Sequence, residues 1–203
     1  SLRVVDKLEH KYADFSGLNL TFETREGILK HRSQNNAHQL GVVANRLLDT
    51  TQPSLEAQLT DLTDETAYNN HDVDDGLRYG LISIDDLLKI ELFRQQHDIV
   101  IKRYSSLNDR QLIHEIIRRM INVMVVDLID TSRDNIKNIK PESIEDIRKQ
   151  TKSTMSFSES MCEQKLELKQ YLRTNLYQHY RVHRMSMKAC AIIEALFEAF
   201  MND

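Results

Sequence analysis

The chain has 203 residues, with 27 Lys and Arg against 31 Asp and Glu and a formal net charge of -4, so it is long enough to bury a core and its mildly acidic balance speaks against a nucleic-acid binder. Hydrophobic residues make up 40% and charged residues 29%, against disorder, while 5 Gly and 2 Pro are too few turn formers for an all-β chain of this length. Cys162 and Cys190 make no disulfide framework and sit in no metal-type Cys motif, which fits a reducing, cytoplasmic setting. Ser1 to Lys7 carry no signal-peptide pattern. The longest apolar stretch, Met120 to Ile129, is short and contains Asn122 and Asp127, so no membrane span is expected.

Taken in order, the residues predict helices and little else. Leu2, Val5, Leu8 and Tyr12 recur at helical spacing, with Gly17 closing that element. Leu18 to Phe22 reads as a connector, Thr24 to His31 as a short helix, Ser33 to Ala37 as a loop, Leu40 to Leu48 as a helix and Asp49 to Pro53 as a turn. Ser54 is placed to cap a long helix from Leu55 to about Gly76 or Gly80, with Leu55, Leu59, Leu62, Thr66, Val73 and Leu77 as its inner face. Ser83 caps the next helix, which carries Leu87, Leu88, Ile90 and Leu92. Asn108 with Gln111 looks like a capping box for a central helix to about Ile129, apolar nearly all round after Met120. A loop over Thr131 to Pro141 follows, then a short helix from Ser143, and last helices from about Glu163 to Tyr180 and Met185 to Met201. The expected fold class is all-α, organised as residues 1–130 and a C-terminal helical subregion over 131–203 of the same unit.

Charge is uneven along this series. Asp49 to Asp86 holds ten acidic residues and one basic residue, Arg78, so its helix does not alternate signs as a solvated face usually does. Asp64, Tyr68 and Asp72 follow at i,i+4 spacing and share a face. Two carboxylates flanking a Tyr suit a cation and a sugar hydroxyl, though an acidic surface helix gives the same pattern. Leu168 to Ile193 lacks Asp and Glu, and Arg173, Tyr177, Arg181, Arg184 and Lys188 fall at helical spacing. Such a basic stripe matches phosphate oxygens, or equally a solvated face paired with the acidic helix. His179 and His183 have a chelating spacing but no nearby carboxylate to complete a metal shell. His114-Glu115 is followed by Arg118, so a zincin pattern fails.

The block Ser54 to Leu77, above all Asp64-Glu65-Thr66-Ala67-Tyr68-Asn69-Asn70-His71-Asp72, resembles the deoxynucleoside triphosphate triphosphohydrolases. These are the dGTPase-like branch of the HD superfamily. Gly17-Leu18-Asn19-Leu20-Thr21, Glu26 to His31, and Leu168 to Met185 with Leu196-Phe197 also resemble the family, so the likeness spans nearly the whole chain. It implies an HD-type helical bundle and a divalent metal ion such as Mg²⁺ or Mn²⁺, with Asp64 as the shell's lone Asp. It further implies Tyr68 against the deoxyribose, Asp72 accepting from the sugar 3′-hydroxyl and Lys30 near the phosphates. The implied reaction cuts a deoxynucleoside triphosphate between the sugar 5′-oxygen and the α-phosphorus, releasing deoxynucleoside and tripolyphosphate. A homo-oligomer is expected as well.

His71-Asp72 and Asp64 are not simply one metal shell, because Asp64 lies about 12 Å away along the helix at the normal rise, and the resemblance makes His71-Asp72 the family's sugar-site dipeptide rather than its metal pair. The family's first His and its true His-Asp pair have no counterpart here. The expectation is therefore the C-terminal portion of such an enzyme, with no catalytic residue of its own, an incompletely liganded metal and no activity alone. The alternatives are a helical oligomerisation module and a regulatory module that binds nucleotide without hydrolysis.

Overall fold

The computed structural model describes residues 2–30 and 52–202, without the side chains of Leu29 and Lys30. Helices dominate, and no strand occurs among the described residues. They are α1 (Phe22–Lys30), α2 (Leu55–Arg78), α3 (Ile84–Leu87), α4 (Glu91–Arg103), α5 (Asp109–Ile139), α6 (Ile144–Arg148), α7 (Glu159–Leu172) and α8 (Tyr180–Asn202). π-helical turns lie at Val4–Leu8 and Arg173–Tyr177. The expected all-α class holds. The loop over Ser33 to Ala37 and the helix over Leu40 to Leu48 lie outside the described residues.

The chain divides into two compact units, one of residues 1–65 and 126–157, the other of 66–125 and 158–203, with α2 and α5 running through both. In the first unit the expected N-terminal helix is only a π-helical turn, Val4–Leu8. The chain then loops back, with Leu18 N–H donating to the Val5 carbonyl at 2.7 Å. Gly17 is required there: its φ is +73°, and a Cβ would stand 2.4 Å from the Asp6 carbonyl carbon. Arg25 of α1 holds Asp6 at 2.7 Å, and the buried Glu26 meets Arg148 of α6 at 3.2 Å. Ser54 caps α2, accepting from Ala57 N–H at 3.3 Å.

One buried side chain organises this unit's polypeptide beyond α6. Gln58 Oε1 accepts from the Ser153 hydroxyl at 2.8 Å and from the backbone N–H groups of Thr154 and Met155 at 2.8 and 3.0 Å. Its Nε2 donates to the Pro53 carbonyl at 2.8 Å. The sequence expected an apolar inner face on α2, yet Leu59 is 37% exposed. Thr66 and Val73 of that face are buried as expected, and Gln58, Asn69 and Asn70 are buried beside them. Gln58 is fully partnered there and Asn70 Nδ2 donates to the Thr66 carbonyl at 2.8 Å, bonds that hydrophobic periodicity does not register.

In the second unit Phe93, Leu92, Leu87, Ile116, Met120 and Leu168 are fully buried. The helix expected after Ser83 is split. Ser83 does cap it, accepting from Asp86 N–H at 3.2 Å, but α3 ends at Leu87 and α4 starts at Glu91, whose N–H donates to Glu167 Oε2 at 3.0 Å. Asn108 and Gln111 form the expected box, at 2.9 and 3.2 Å.

The helix they open runs on to Ile139, through the expected loop at Thr131 to Pro141. Nothing in that stretch breaks a helix until Lys140 turns left-handed, at φ +48°, before Pro141. Met120, Met124 and Leu128 of this helix, expected to be central, are buried, while Val125, Val126 and Ile129 on its other side are exposed. The helix expected from Glu163 to Tyr180 starts at Glu159 and leaves α-helical winding after Leu172, and α8 starts at Tyr180 rather than Met185.

Candidate functional site

Asp64 is exposed on α2 and lines a cavity of about 590 Å³ in the first unit. The α1 side of that cavity is Glu23, Thr24, Gly27 and Ile28. Gly27 lets the two helices approach, since a Cβ on it would lie 3.1 Å from the Ala57 Cβ. Glu23, Glu56 and Asp61 join Asp64 around the cavity. That charge suits a cation rather than a phosphate. Among the described residues no group of three His, Cys, Asp or Glu is gathered for a metal ion, so Asp64 is not a complete metal centre within them. Lys30 ends α1, and its side chain lies outside the described residues.

One and two turns further along α2, in the second unit, stand Tyr68 and Asp72. Tyr68 is 59% exposed, and Asp72 is half-buried. The Asp72 Oδ2 accepts a hydrogen bond from the hydroxyl of Tyr177. The rings of Tyr68 and Tyr177 lie 6.4 Å apart, tilted by 46°. Burial raises the Tyr177 phenol well above the ordinary tyrosine value, and its bond to the Asp72 carboxylate adds to the rise. Tyr177 therefore remains a proton donor through the physiological range.

Sequence reasoning placed Tyr177 in a basic stripe and missed this contact, which joins residues 105 apart in the chain. The stripe itself is not continuous. Arg173 and Tyr177 belong to the π-helical turn, Gln178 and His179 interrupt the winding, and Arg181, Arg184 and Lys188 belong to α8. The only available signal was an aromatic residue at the foot of a basic run.

Residues 155–203 match the family described as the phosphohydrolase-associated domain. Over all 203 residues the chain is 53% identical to a deoxyguanosinetriphosphate triphosphohydrolase-like protein of Bordetella pertussis, of which it covers 53%. Proteins with the same description from Thiobacillus denitrificans and Ralstonia pickettii are 50% and 52% identical over the whole chain, which covers 54% and 52% of them. The chain is thus similar along its whole length to these deoxyguanosinetriphosphate triphosphohydrolase-like proteins and spans about half their length. Among the described residues no helix is long and apolar enough to cross a membrane.

Proposed function

We propose that the chain is part of a metal-dependent deoxynucleoside triphosphate triphosphohydrolase and supplies the surface that receives the deoxyribose. The observation that carries this reading is the pairing of an exposed tyrosine ring with a half-buried carboxylate one turn along α2. A pentose offers an apolar face and hydroxyl donors. Tyr68 suits the first, and the Asp72 carboxylate accepts from the 3′-hydroxyl. Close packing of Tyr68 against the sugar would leave little room for a 2′-hydroxyl, favouring deoxyribose. Asp64 would contribute one metal ligand, and the remaining ligands would come from protein outside the described residues. Lys30 would stand toward the phosphates.

The test is product analysis with the full-length protein, dGTP and Mn²⁺ or Mg²⁺. Deoxyguanosine and tripolyphosphate are expected in equal amounts. Release of pyrophosphate or single phosphate, or no turnover of any deoxynucleotide, would sink the reading.

Association through α8 is a second reading with its own observation. The helix buries no residue, and Ile193, Leu196, Phe197 and Phe200 are 52–79% exposed on it. A helix with such a face ordinarily packs against other protein, such as a second copy. Sedimentation of the full-length protein tests it: Phe197→Glu with Phe200→Glu should lower the assembly state, and an unchanged coefficient for an oligomer would refute it.

A further inference from the structure

We infer that Tyr177 is a positioning residue for sugar selectivity: its hydroxyl pins Oδ2 of Asp72, leaving the other carboxylate oxygen as the acceptor for the 3′-hydroxyl. This rests on the sugar-site reading above.

A carboxylate on a short side chain turns broadly about its last torsion, so an unpinned Asp presents its lone pairs in many directions. The Tyr177 hydroxyl bond to Oδ2 removes that freedom. No other hydrogen bond to the Asp72 carboxylate occurs among the described residues, so acceptor capacity remains for a substrate hydroxyl.

Three local features bring Tyr177 to this place. Leu168, Leu172 and Leu176 are buried at successive intervals of four residues and anchor the end of α7 and the turn after it. The turn closes with Gln178 N–H on the Arg173 carbonyl at 3.2 Å, five residues back. π winding advances roughly 80° per residue where an α-helix advances about 100°, so over five residues Tyr177 turns back by roughly 90° toward the Leu172 side. It therefore becomes half-buried rather than solvent-facing. The third feature is Gly76, one turn beyond Asp72. A Cβ there would lie 3.3 Å from Leu176 Cδ1 and 2.7 Å from Ile82 Cδ1, so its absence admits the π-helical turn close against α2.

The experiment is a double-mutant cycle in the full-length enzyme with Tyr177→Phe, Asp72→Ala and the pair together. Each is assayed with dGTP and with its 2′,3′-dideoxy analogue, and each is melted. Phe keeps the ring and its packing and removes only the donor. Tyr177→Phe is expected to lower the dGTP-over-dideoxy ratio of kcat/KM roughly five- to tenfold, chiefly through KM, with an unchanged melting temperature. In the Asp72→Ala background it should change the ratio no further, because it acts through that carboxylate. If Tyr177→Phe leaves the ratio intact while Asp72→Ala lowers it, the positioning role is overturned and the sugar reading stands. If Asp72→Ala also leaves the ratio intact, both fall. Equal losses on the two substrates together with a lower melting temperature would make Tyr177 merely structural and overturn the inference.

Discussion

At the scale of the residue, the decisive side chains are those whose polar atoms serve several partners at once. Gln58 is 5% exposed, and its one carbonyl oxygen receives a hydroxyl and two backbone N–H groups. Gln58→Leu keeps the volume but strands those donors and the Pro53 carbonyl. A buried group left without a partner costs about 1–3 kcal/mol, so a loss of roughly 2–4 kcal/mol is expected, allowing for partial rehydration. Chemical denaturation of the two proteins measures it, and a change below 1 kcal/mol would show that the loop over Ser153 to Met155 is held otherwise. Asp146 gives a pH-dependent counterpart. The backbone N–H of Glu142, then the hydroxyl and N–H of Ser143, hold its carboxyl below the usual carboxylate value. A depressed folded value means the contribution is present above the unfolded value and lost as pH falls through the folded one. Asp146→Asn should therefore destabilise at neutral pH, with the difference from the parent shrinking under acid conditions. A pH-independent difference in melting temperature would contradict this.

At the scale of the element, Gly76 shows how one missing side chain sets the approach of neighbouring segments. Gly76→Val would place carbon atoms where Ile82 and Leu176 already pack. Overpacking of this kind costs about 1–3 kcal/mol. If the close approach also delivers Tyr177, the variant should raise KM for the deoxynucleotide more than Leu176→Ala does at matched stability; equal KM values would show that Gly76 matters for packing alone. The same region shows what was legible in the sequence. Caps at Ser54, Ser83 and Asn108 could be read because donor and acceptor lie three residues apart. Asp64, Tyr68 and Asp72 could be read because one continuous helix carries them. The buried polar face of α2 could not, because the partners that make burial of Gln58 acceptable lie about a hundred residues away. Nor could the π-helical turn, since Leu168, Leu172 and Leu176 keep a spacing that also fits an unbroken α-helix. Tyr177 thus looked like one more residue of a helical stripe, and its role depends on a departure from that helix.

At the scale of the whole molecule, the proposed function divides between groups that should fail differently. Asp64 lines the cavity of the first unit, while Tyr68, Asp72 and Tyr177 belong to the second. The chain spans about half the length of its relatives, and no metal-holding group of three occurs among its described residues. The 203-residue chain by itself is accordingly expected to bind Mn²⁺ weakly and to release no deoxynucleoside from dGTP. Turnover by the purified chain at the rate of the full-length protein would mean that its own side chains complete the centre, and the reading of Asp64 as one ligand of a shared shell would be wrong. In the full-length protein, Asp64→Ala should abolish both metal content and turnover. Asp72→Ala should retain metal and lose roughly 10- to 150-fold in kcat/KM, the value of a hydrogen bond to a charged acceptor. Tyr68→Ala should retain metal too, and its largest effect should be weaker discrimination between dGTP and GTP. If instead all three variants lose melting temperature and activity in step, with metal content and the dGTP-to-GTP ratio unchanged per folded molecule, then α2 is only a supporting helix and its exposed carboxylates and tyrosine bind no substrate.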